Sequence, residues 1–303
     1  RLTRQSLRDQ VTQTARAPMS LDLQLSRIKQ EFPDIEWDAA RLIAGGWDHD
    51  VVVLDQSLVF RVRKNEANAS RFDREARYLE FLATRTSVPI PRVSHLSSDR
   101  TIMGYPYLPG DPLDEQTLMS LGSAKLTAVL AQISTFLSEV HRIPIADCAH
   151  LQPVVRRAED HVSWLSDGLE SNLRGVLSPE ECEVVEAFLP ELGRCMSSWS
   201  ELVLLHGDFG YDDVILDADS GQVSIIDHTD YAIGDPALDF WGLLAASHEI
   251  TLSVLEGYSH RNRVGNVLER AETYSKMVTI GMMIHCQRWS GKIGHLDKWL
   301  ICA

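Results

Sequence analysis

Three aspartates at the ends of short apolar segments carry the strongest chemical signal in this sequence. Asp208 follows the run Leu202–Leu205, Asp213 lies just beyond it, and Asp227 ends the run Val223–Ile226. A single aspartate in such a place is more typical of a turn or a helix cap. Three carboxylates at neighbouring strand ends fit phosphoryl transfer, because one must orient the attacking hydroxyl and accept its proton while others hold Mg²⁺.

The segments around these aspartates also resemble a known family. Residues 206–213, HGDFGYDD, resemble the HGD-x4-N catalytic loop of aminoglycoside phosphotransferases, which have a protein-kinase-like fold. Residues 226–236, IDHTDYAIGDP, resemble the metal-binding segment of that family. The resemblance implies that Asp208 is the catalytic aspartate and that Asp213 and Asp227 hold Mg²⁺. Asp213 stands where the family usually has Asn, and a carboxylate can also bind Mg²⁺ there.

The N-terminal part supplies candidates for nucleotide binding in the order that this family uses. Gly46 lies in a loop that either covers the nucleotide or forms a plain hairpin turn. Arg61, in VFRVRK, resembles the family's cation for the α- and β-phosphates, and Glu75 matches the glutamate that pairs with it. The resemblance places the backbone of Pro106 and Leu108 against the nucleobase. Because Pro106 has no N–H, Leu108 is the expected donor.

Two further acidic residues are candidates for binding the acceptor substrate. In aminoglycoside kinases, acidic residues of the helical lobe bind the ammonium groups of the substrate, and Asp230 and Glu249 are candidates for this role. Asp230 could instead brace the metal-binding loop, and Glu249 could be an ordinary solvated helix residue.

Hydrophobic periodicity predicts the elements that must position these residues. Three runs rich in β-branched and aromatic residues predict strands: Val51–Leu54, Leu58–Val62 and Thr101–Leu108. Helical spacing of apolar residues, and a capping box at Ser178, predict three helices: Asn68–Thr84, Ser123–Arg142 and a segment from Ser178 to about Leu189.

Together with the resemblance, these elements predict an α+β, protein-kinase-like bilobal fold. A small N-terminal antiparallel β-lobe with a helix is expected at 19–108, where the nucleotide binds. A larger, mostly helical C-terminal lobe with the catalytic and substrate sites is expected at 109–303. Residues 1–18 are interpreted as a tag or disordered extension. The length of 303 residues allows two such lobes around one shared cleft.

Composition excludes several other classes of protein. The formal net charge of −14 argues against a nucleic-acid surface, which needs clustered Lys and Arg, and it suits a cationic small molecule. The sequence contains no run of about 18 apolar residues, so no membrane span is expected. The five cysteines show no metal-binding spacing and are typical of reduced thiols in a cytoplasmic protein, which we expect to be a monomer.

The preferred hypothesis is an O-phosphotransferase that uses ATP or GTP with Mg²⁺ to modify a cationic antibiotic, an aminoglycoside before a macrolide, and so confers resistance. A metabolic kinase acting on choline, a sugar or an amino-alcohol shares the same motifs. A nucleotide-binding protein without turnover is a third hypothesis, because Asp213 and the His228-Thr229 pair depart from the family pattern.

Overall fold

The structure is a computed structural model that describes residues 20–43, 49–64, 70–199, 201–260 and 266–286. The described residues form two compact units. The first unit contains 20–139 and Tyr211–Asp230, and the second contains Val140–Gly210 and 231–286. Gly46 and the predicted extension at 1–18 lie outside the described residues. The predicted lobe boundary between residues 108 and 109 stays a prediction.

The elements are numbered in chain order. The strands are β1 (Ala40–Ile43), β2 (His49–Leu54), β3 (Leu58–Arg63), β4 (His95–Leu96), β5 (Ile102–Pro106), β6 (Asp111–Pro112), β7 (Val154–Val155), β8 (Val203–Leu205), β9 (Val214–Leu216), β10 (Val223–Ile225) and β11 (Ala232–Gly234). The helices are α1 (Leu21–Glu31), α2 (Ser70–Leu82), α3 (Glu115–Ser120), α4 (Ser123–His141), α5 (Ala158–Gly168), α6 (Pro179–Ser197), α7 (Trp241–Ala246), α8 (His248–Gly257) and α9 (Val267–Cys286).

An antiparallel sheet of five strands, in the order β1-β2-β3-β5-β4, organises the first unit. Side chains alternate between its faces, as strand geometry requires. Phe60 and Val62 of β3 join a buried cluster with Ile28 of α1. Val59 joins a second cluster with Phe72 of α2. Because Arg61 alternates with Phe60 and Val62, it shares the α2 face of the sheet.

A smaller sheet in the first unit, in the order β10-β9-β6, carries the second part of the predicted site. Strands β9 and β10 pair antiparallel, with Val214 opposite Ile225. One residue outside that pair, the N–H of Ile226 donates to the backbone oxygen of Asp213 at 2.9 Å. The hairpin therefore brings the chain at Asp213 next to the chain at Asp227.

The second unit is mainly helical around the short sheet β7-β11-β8. Helices α5 and α9 approach closely where they meet, since a Cβ on Gly281 would lie 2.4 Å from the ring of Trp164. Among the described helices, none is long and apolar enough to cross a membrane.

One predicted boundary is wrong. Helix α6 begins at its predicted capping box but continues through Pro190 to Ser197 instead of ending near Leu189. Pro190 lies on the exposed side of the helix, where water can solvate the carbonyl that loses its donor. Leu192 and Met196 are buried, and this burial favours continuing the helix past the proline.

Candidate active site

The carboxylate of Asp227 lies at the centre of the site in the first unit. Asp227 follows β10 and has φ +62°, in the left-handed region that aspartate enters more readily than most residues. Its side chain is 43% exposed. Asp213, in contrast, is buried at the end of a 3₁₀ turn, Tyr211–Asp213. The β9–β10 hairpin places these two predicted metal ligands on adjacent backbone segments.

Arg61 connects Asp227 to helix α2. Its Nη1 pairs with Oε1 of Glu75, and its Nη2 lies 3.1 Å from Oδ1 of Asp227. Thr229 joins the cluster, since its Oγ1 accepts from Arg61 Nη2 at 3.1 Å and donates to Glu75 Oε2 at 2.8 Å. Arg61 is 4% exposed and Glu75 is fully buried. Glu75 is thus a buried ion-pair partner of Arg61 and not a solvated helix charge.

The carboxylates of this cluster favour the charged form of Arg61. Burial alone would lower the pKa of Arg61, but Glu75 and Asp227 raise it above its ordinary value. A guanidinium in this position stays protonated and can bind anions. A buried ion pair of this kind is strongly disrupted when one partner is removed, because the other is left as an uncompensated charge.

His49, at the start of β2, is a fourth partner that the sequence did not single out. Arg61 Nε donates to His49 Nε2 at 3.0 Å. Burial, and next the positive charge of Arg61, hold the pKa of His49 well below its ordinary value. The imidazole is therefore neutral and can accept the hydrogen bond. A histidine beside a glycine-containing loop was visible in the sequence, but nothing in its spacing indicated Arg61 as its partner.

The other predicted residues of the first unit fall in three places. Pro106 ends β5 and is exposed, and within the described residues no hydrogen-bond acceptor contacts the N–H of Leu108. Asp230 forms an ion pair with Arg71 of α2 at 2.9 Å, both side chains being partly exposed. This contact fits the bracing role considered for Asp230. Gly46, predicted to cover the nucleotide, lies outside the described residues.

In the second unit, the carboxylate of Asp239 holds the HGD loop. The N–H of His206 donates to Oδ2 of Asp239 and the N–H of Gly207 donates to Oδ1, each at 2.8 Å. Gly207 has φ +97°, a conformation that suits glycine because it has no Cβ. The chain therefore turns sharply just before Asp208, which is partly exposed. Two backbone hydrogen bonds fix the base of this turn.

Asp239 is itself fixed by side chains from α4 and from the end of α8. Nε2 of His141 lies 2.9 Å from Oδ2 of Asp239, and Nδ1 of His141 lies 2.6 Å from the hydroxyl of Tyr258. Burial would raise the pKa of Asp239, but the hydrogen bonds from His141 and Gly207 hold it below its usual range. Sequence reasoning missed Asp239, although it lies only three residues beyond the quoted segment.

Replacing Asp239 by asparagine is expected to lower the free energy of unfolding by about 2–3 kcal/mol, because an amide cannot accept all these charge-assisted hydrogen bonds. The pKa of Asp239 is depressed, so its contribution is present above the usual aspartate pKa of about 3.9 and is lost as the pH falls through the folded-state value. The stability difference between wild type and Asp239→Asn should therefore be present at neutral pH and be lost at strongly acidic pH, and chemical denaturation at both pH values checks this. Asp167→Asn, at an exposed position of α5, is the control. An equal loss of stability in both variants would contradict the assignment.

Two other acidic residues of the second unit differ in their surroundings. Glu249 lies exposed in the first turn of α8. Asp235 is buried and accepts from Arg270 Nε and from the hydroxyl of Tyr274, each at 2.7 Å. It also caps the 3₁₀ turn Pro236–Asp239, so it braces the segment that carries Asp239.

The donor set of Asp213 and Asp227 fits magnesium. Both supply carboxylate oxygens, which this hard cation prefers. Within the described ranges, no group of three or more His, Cys, Asp or Glu residues could hold a metal ion. Two carboxylates suffice for Mg²⁺ when substrate phosphates and water complete the octahedron.

The structure thus brings together Arg61, Glu75 and Asp227 in the first unit, with Asp213 on the backbone segment that pairs next to Asp227. Two of the predicted residues, Asp208 and Glu249, belong to the second unit.

Solved structures with the same fold were found by comparison. The GDP and kanamycin complex of APH(2")-IIia matches with a TM-score of 0.77 and 20% identity, covering 92% of this chain and 95% of that chain. The streptomycin–ATP complex of APH(2")-IIa matches with a TM-score of 0.73 and 21% identity, covering 94% and 97%. The apoenzyme of macrolide 2'-phosphotransferase MphH from Brachybacterium faecium matches with a TM-score of 0.67 and 19% identity, covering 92% and 97%. The predicted kinase-like α+β fold is confirmed.

The sequence comparisons lead to a family. A curated relative, acyl-CoA dehydrogenase family member 10 of Mus musculus, is 22% identical over 242 residues. Those residues make up 76% of this chain but only 22% of the mouse protein. The sequence profile of the APH family, described as the phosphotransferase enzyme family, matches residues 39–274. Since this match covers well over half of the chain, the protein belongs to the phosphotransferase enzyme family.

Proposed function

We propose that this protein transfers the γ-phosphoryl group of ATP or GTP to a hydroxyl of a small cationic antibiotic, most simply an aminoglycoside. The observation that carries the proposal is the cluster of the buried Arg61 and Glu75 with the partly exposed Asp227, which combines a cation suited to phosphate with a carboxylate suited to a metal ion. Such a cluster is suited to phosphoryl transfer, whose catalysis is mostly positioning and charge stabilisation.

The first unit supplies the nucleotide-binding part of this mechanism. Arg61, held by Glu75, contacts the phosphates, and the N–H of Leu108 donates to the nucleobase. Asp227 and Asp213 would hold Mg²⁺, which neutralises charge on the phosphate oxygens when bound. Solved structures of the same fold contain GDP or ATP, which supports a nucleotide donor without deciding between the two bases.

Asp208 supplies the acid–base part. Its carboxylate orients the acceptor hydroxyl and accepts its proton while the hydroxyl oxygen attacks the γ-phosphorus. The bond from that phosphorus to the β–γ bridging oxygen breaks, which releases the nucleoside diphosphate and a phosphate monoester. The two hydrogen bonds from the HGD backbone to Asp239 keep this loop in place.

An acceptor screen tests the proposal. Purified protein is incubated with Mg²⁺ and either ATP or GTP, and mass spectrometry detects the gain of one phosphoryl group on each acceptor. The panel contains aminoglycosides, macrolides, choline, sugars and amino-alcohols. We expect modified aminoglycosides, with Asp208→Asn as the inactive control. In a sensitive host, expression should raise the inhibitory concentration of the same antibiotic.

The remaining outcomes separate the rival functions. Transfer to macrolides alone would indicate a macrolide kinase, a second candidate function that the fold match to a macrolide phosphotransferase supports. Transfer only to choline, a sugar or an amino-alcohol would replace the antibiotic by a metabolic substrate. Nucleotide binding without transfer to any acceptor would indicate a binding protein. We also propose that the protein is cytoplasmic and monomeric. Size-exclusion chromatography with light scattering tests whether it is a monomer.

A further inference from the structure

The Nε edge of the Arg61 guanidinium has a partner of its own. Nε donates to His49 Nε2 at 3.0 Å, and Nη2 also lies 3.5 Å from His49 Nδ1, whereas the other three partners contact the terminal nitrogens. Nη1 pairs with Glu75, and Nη2 donates to Asp227 and Thr229 at 3.1 Å each. These contacts use four of the five N–H groups that a guanidinium carries. His49 thus takes the N–H on the Nε side of the fork, whereas Glu75, Asp227 and Thr229 take those of the terminal nitrogens.

The separation matters because a guanidinium can bind a carboxylate in two ways. A carboxylate can pair with the two terminal nitrogens, or with Nε and one terminal nitrogen. With Nε already donating to His49, Glu75 and Asp227 are confined to the terminal nitrogens. Without that acceptor, either carboxylate could move to the Nε side and turn the guanidinium about its Cδ–Nε bond. The N–H groups would then point in other directions.

Strand pairing and ring packing hold His49 in a fixed position. It begins β2, which pairs with the strand that carries Arg61. Its ring packs edge-on against Phe72, with centroids 6.1 Å apart, and the guanidinium of Arg61 lies 5.2 Å from that same ring. Because a guanidinium N–H can only donate, the facing ring nitrogen must be unprotonated. One aromatic side chain of α2 therefore fixes both members of the hydrogen bond.

We propose that His49 is a positioning residue for nucleotide binding: its Nε2 holds the Arg61 guanidinium in the one orientation that keeps Glu75 and Asp227 on the terminal nitrogens. The inference rests on the proposed function, in which Arg61 contacts the phosphates. The proposed role of His49 concerns the affinity for phosphates and not the chemical step. The affinity for a nucleoside, which has no phosphates, should therefore not depend on His49.

Isothermal titration calorimetry tests this with four variants. His49→Phe keeps an aromatic ring against Phe72 but removes the acceptor. His49→Gln returns an acceptor at about the reach of Nε2, and His49→Asn carries the same amide at about the reach of Nδ1, too short to accept from Arg61 Nε. His95→Phe is the control, because His95 packs against Phe32 and Phe60 on the opposite face of the sheet. The probes are Mg·ATP, Mg·GTP, adenosine and guanosine.

We expect Mg·nucleotide affinity to fall about tenfold in the Phe and Asn variants and to stay within about threefold of wild type in the Gln variant and the control. Nucleoside affinity should not change in any of them. If His49→Phe does not fold, the Gln and Asn pair carries the comparison alone.

Three results would overturn the proposal. The first is wild-type nucleotide affinity in the Phe or Asn variant, and the second is an equal loss for nucleotides and nucleosides, which would indicate a merely structural role. The third is a Gln variant as weak as Asn. Failure of the proposed function looks different: wild-type protein would either bind nucleotide without transferring phosphate, which leaves this comparison valid, or bind none of the Mg·nucleotides, in which case this inference would fall with it.

Discussion

Replacing Asp208 by asparagine should reduce the rate of phosphoryl transfer about 10²–10⁴-fold, the usual contribution of a positioned general base. The amide has nearly the same shape but cannot accept the proton of the attacking hydroxyl. Nucleotide affinity should stay within a few fold of wild type, because in the proposed mechanism Arg61 contacts the phosphates and Asp208 acts on the acceptor hydroxyl. Steady-state kinetics and calorimetry measure the two effects separately.

A matched control uses another aspartate of the same region. Asp217 lies partly exposed in the turn between β9 and β10, where it accepts from the N–H of Asp219 at 3.0 Å and from Ser220 Oγ at 2.6 Å. Asp217→Asn should leave the turnover nearly unchanged. If Asp208→Asn keeps turnover close to that of this control, the catalytic assignment is wrong. A proportionate loss of nucleotide affinity would instead place Asp208 in nucleotide binding.

Replacing Arg61 by methionine should lower the free energy of unfolding by about 3–5 kcal/mol, because it leaves Glu75 fully buried without its cationic partner. Methionine keeps an unbranched, flexible side chain that can fill most of the space. Asp227 loses the same partner, but its exposed carboxylate can be hydrated. Urea denaturation gives the stability, and nucleotide affinity should fall in parallel.

Two further variants show whether the unpaired charge causes the loss. The double variant Arg61→Met/Glu75→Leu removes both charges and should recover part of the stability, since apolar residues can replace a buried ion pair. Arg71→Met breaks the partly exposed ion pair with Asp230 and should cost about 1 kcal/mol or less. A double variant no more stable than Arg61→Met would show that the lost charge partner is not the cause.

Local sequence patterns were sufficient for the elements of the site. Strand alternation puts Arg61 on the same side of β3 as Val59, and helical spacing puts Glu75 on the buried side of α2 with Phe72. The two residues could therefore be expected to meet once both elements pack against each other. The predicted end of helix α6 was wrong because tertiary burial outweighed a local rule. Pro190 lies on the exposed side of α6, and burial of the opposite side keeps the helix going past it.

The sequence by itself determined the kinase-like fold and the candidate site residues with the elements that carry them, because hydrophobic periodicity and motif order are properties of neighbouring residues. Only the tertiary structure decided the partners of buried polar groups. His49 meets Arg61 across two strands, Thr229 meets Glu75 over 154 positions, and Asp239 accepts from the backbone of a loop 32 and 33 positions away. A buried donor or acceptor must find a partner wherever the packed fold offers one, and sequence spacing does not encode that choice.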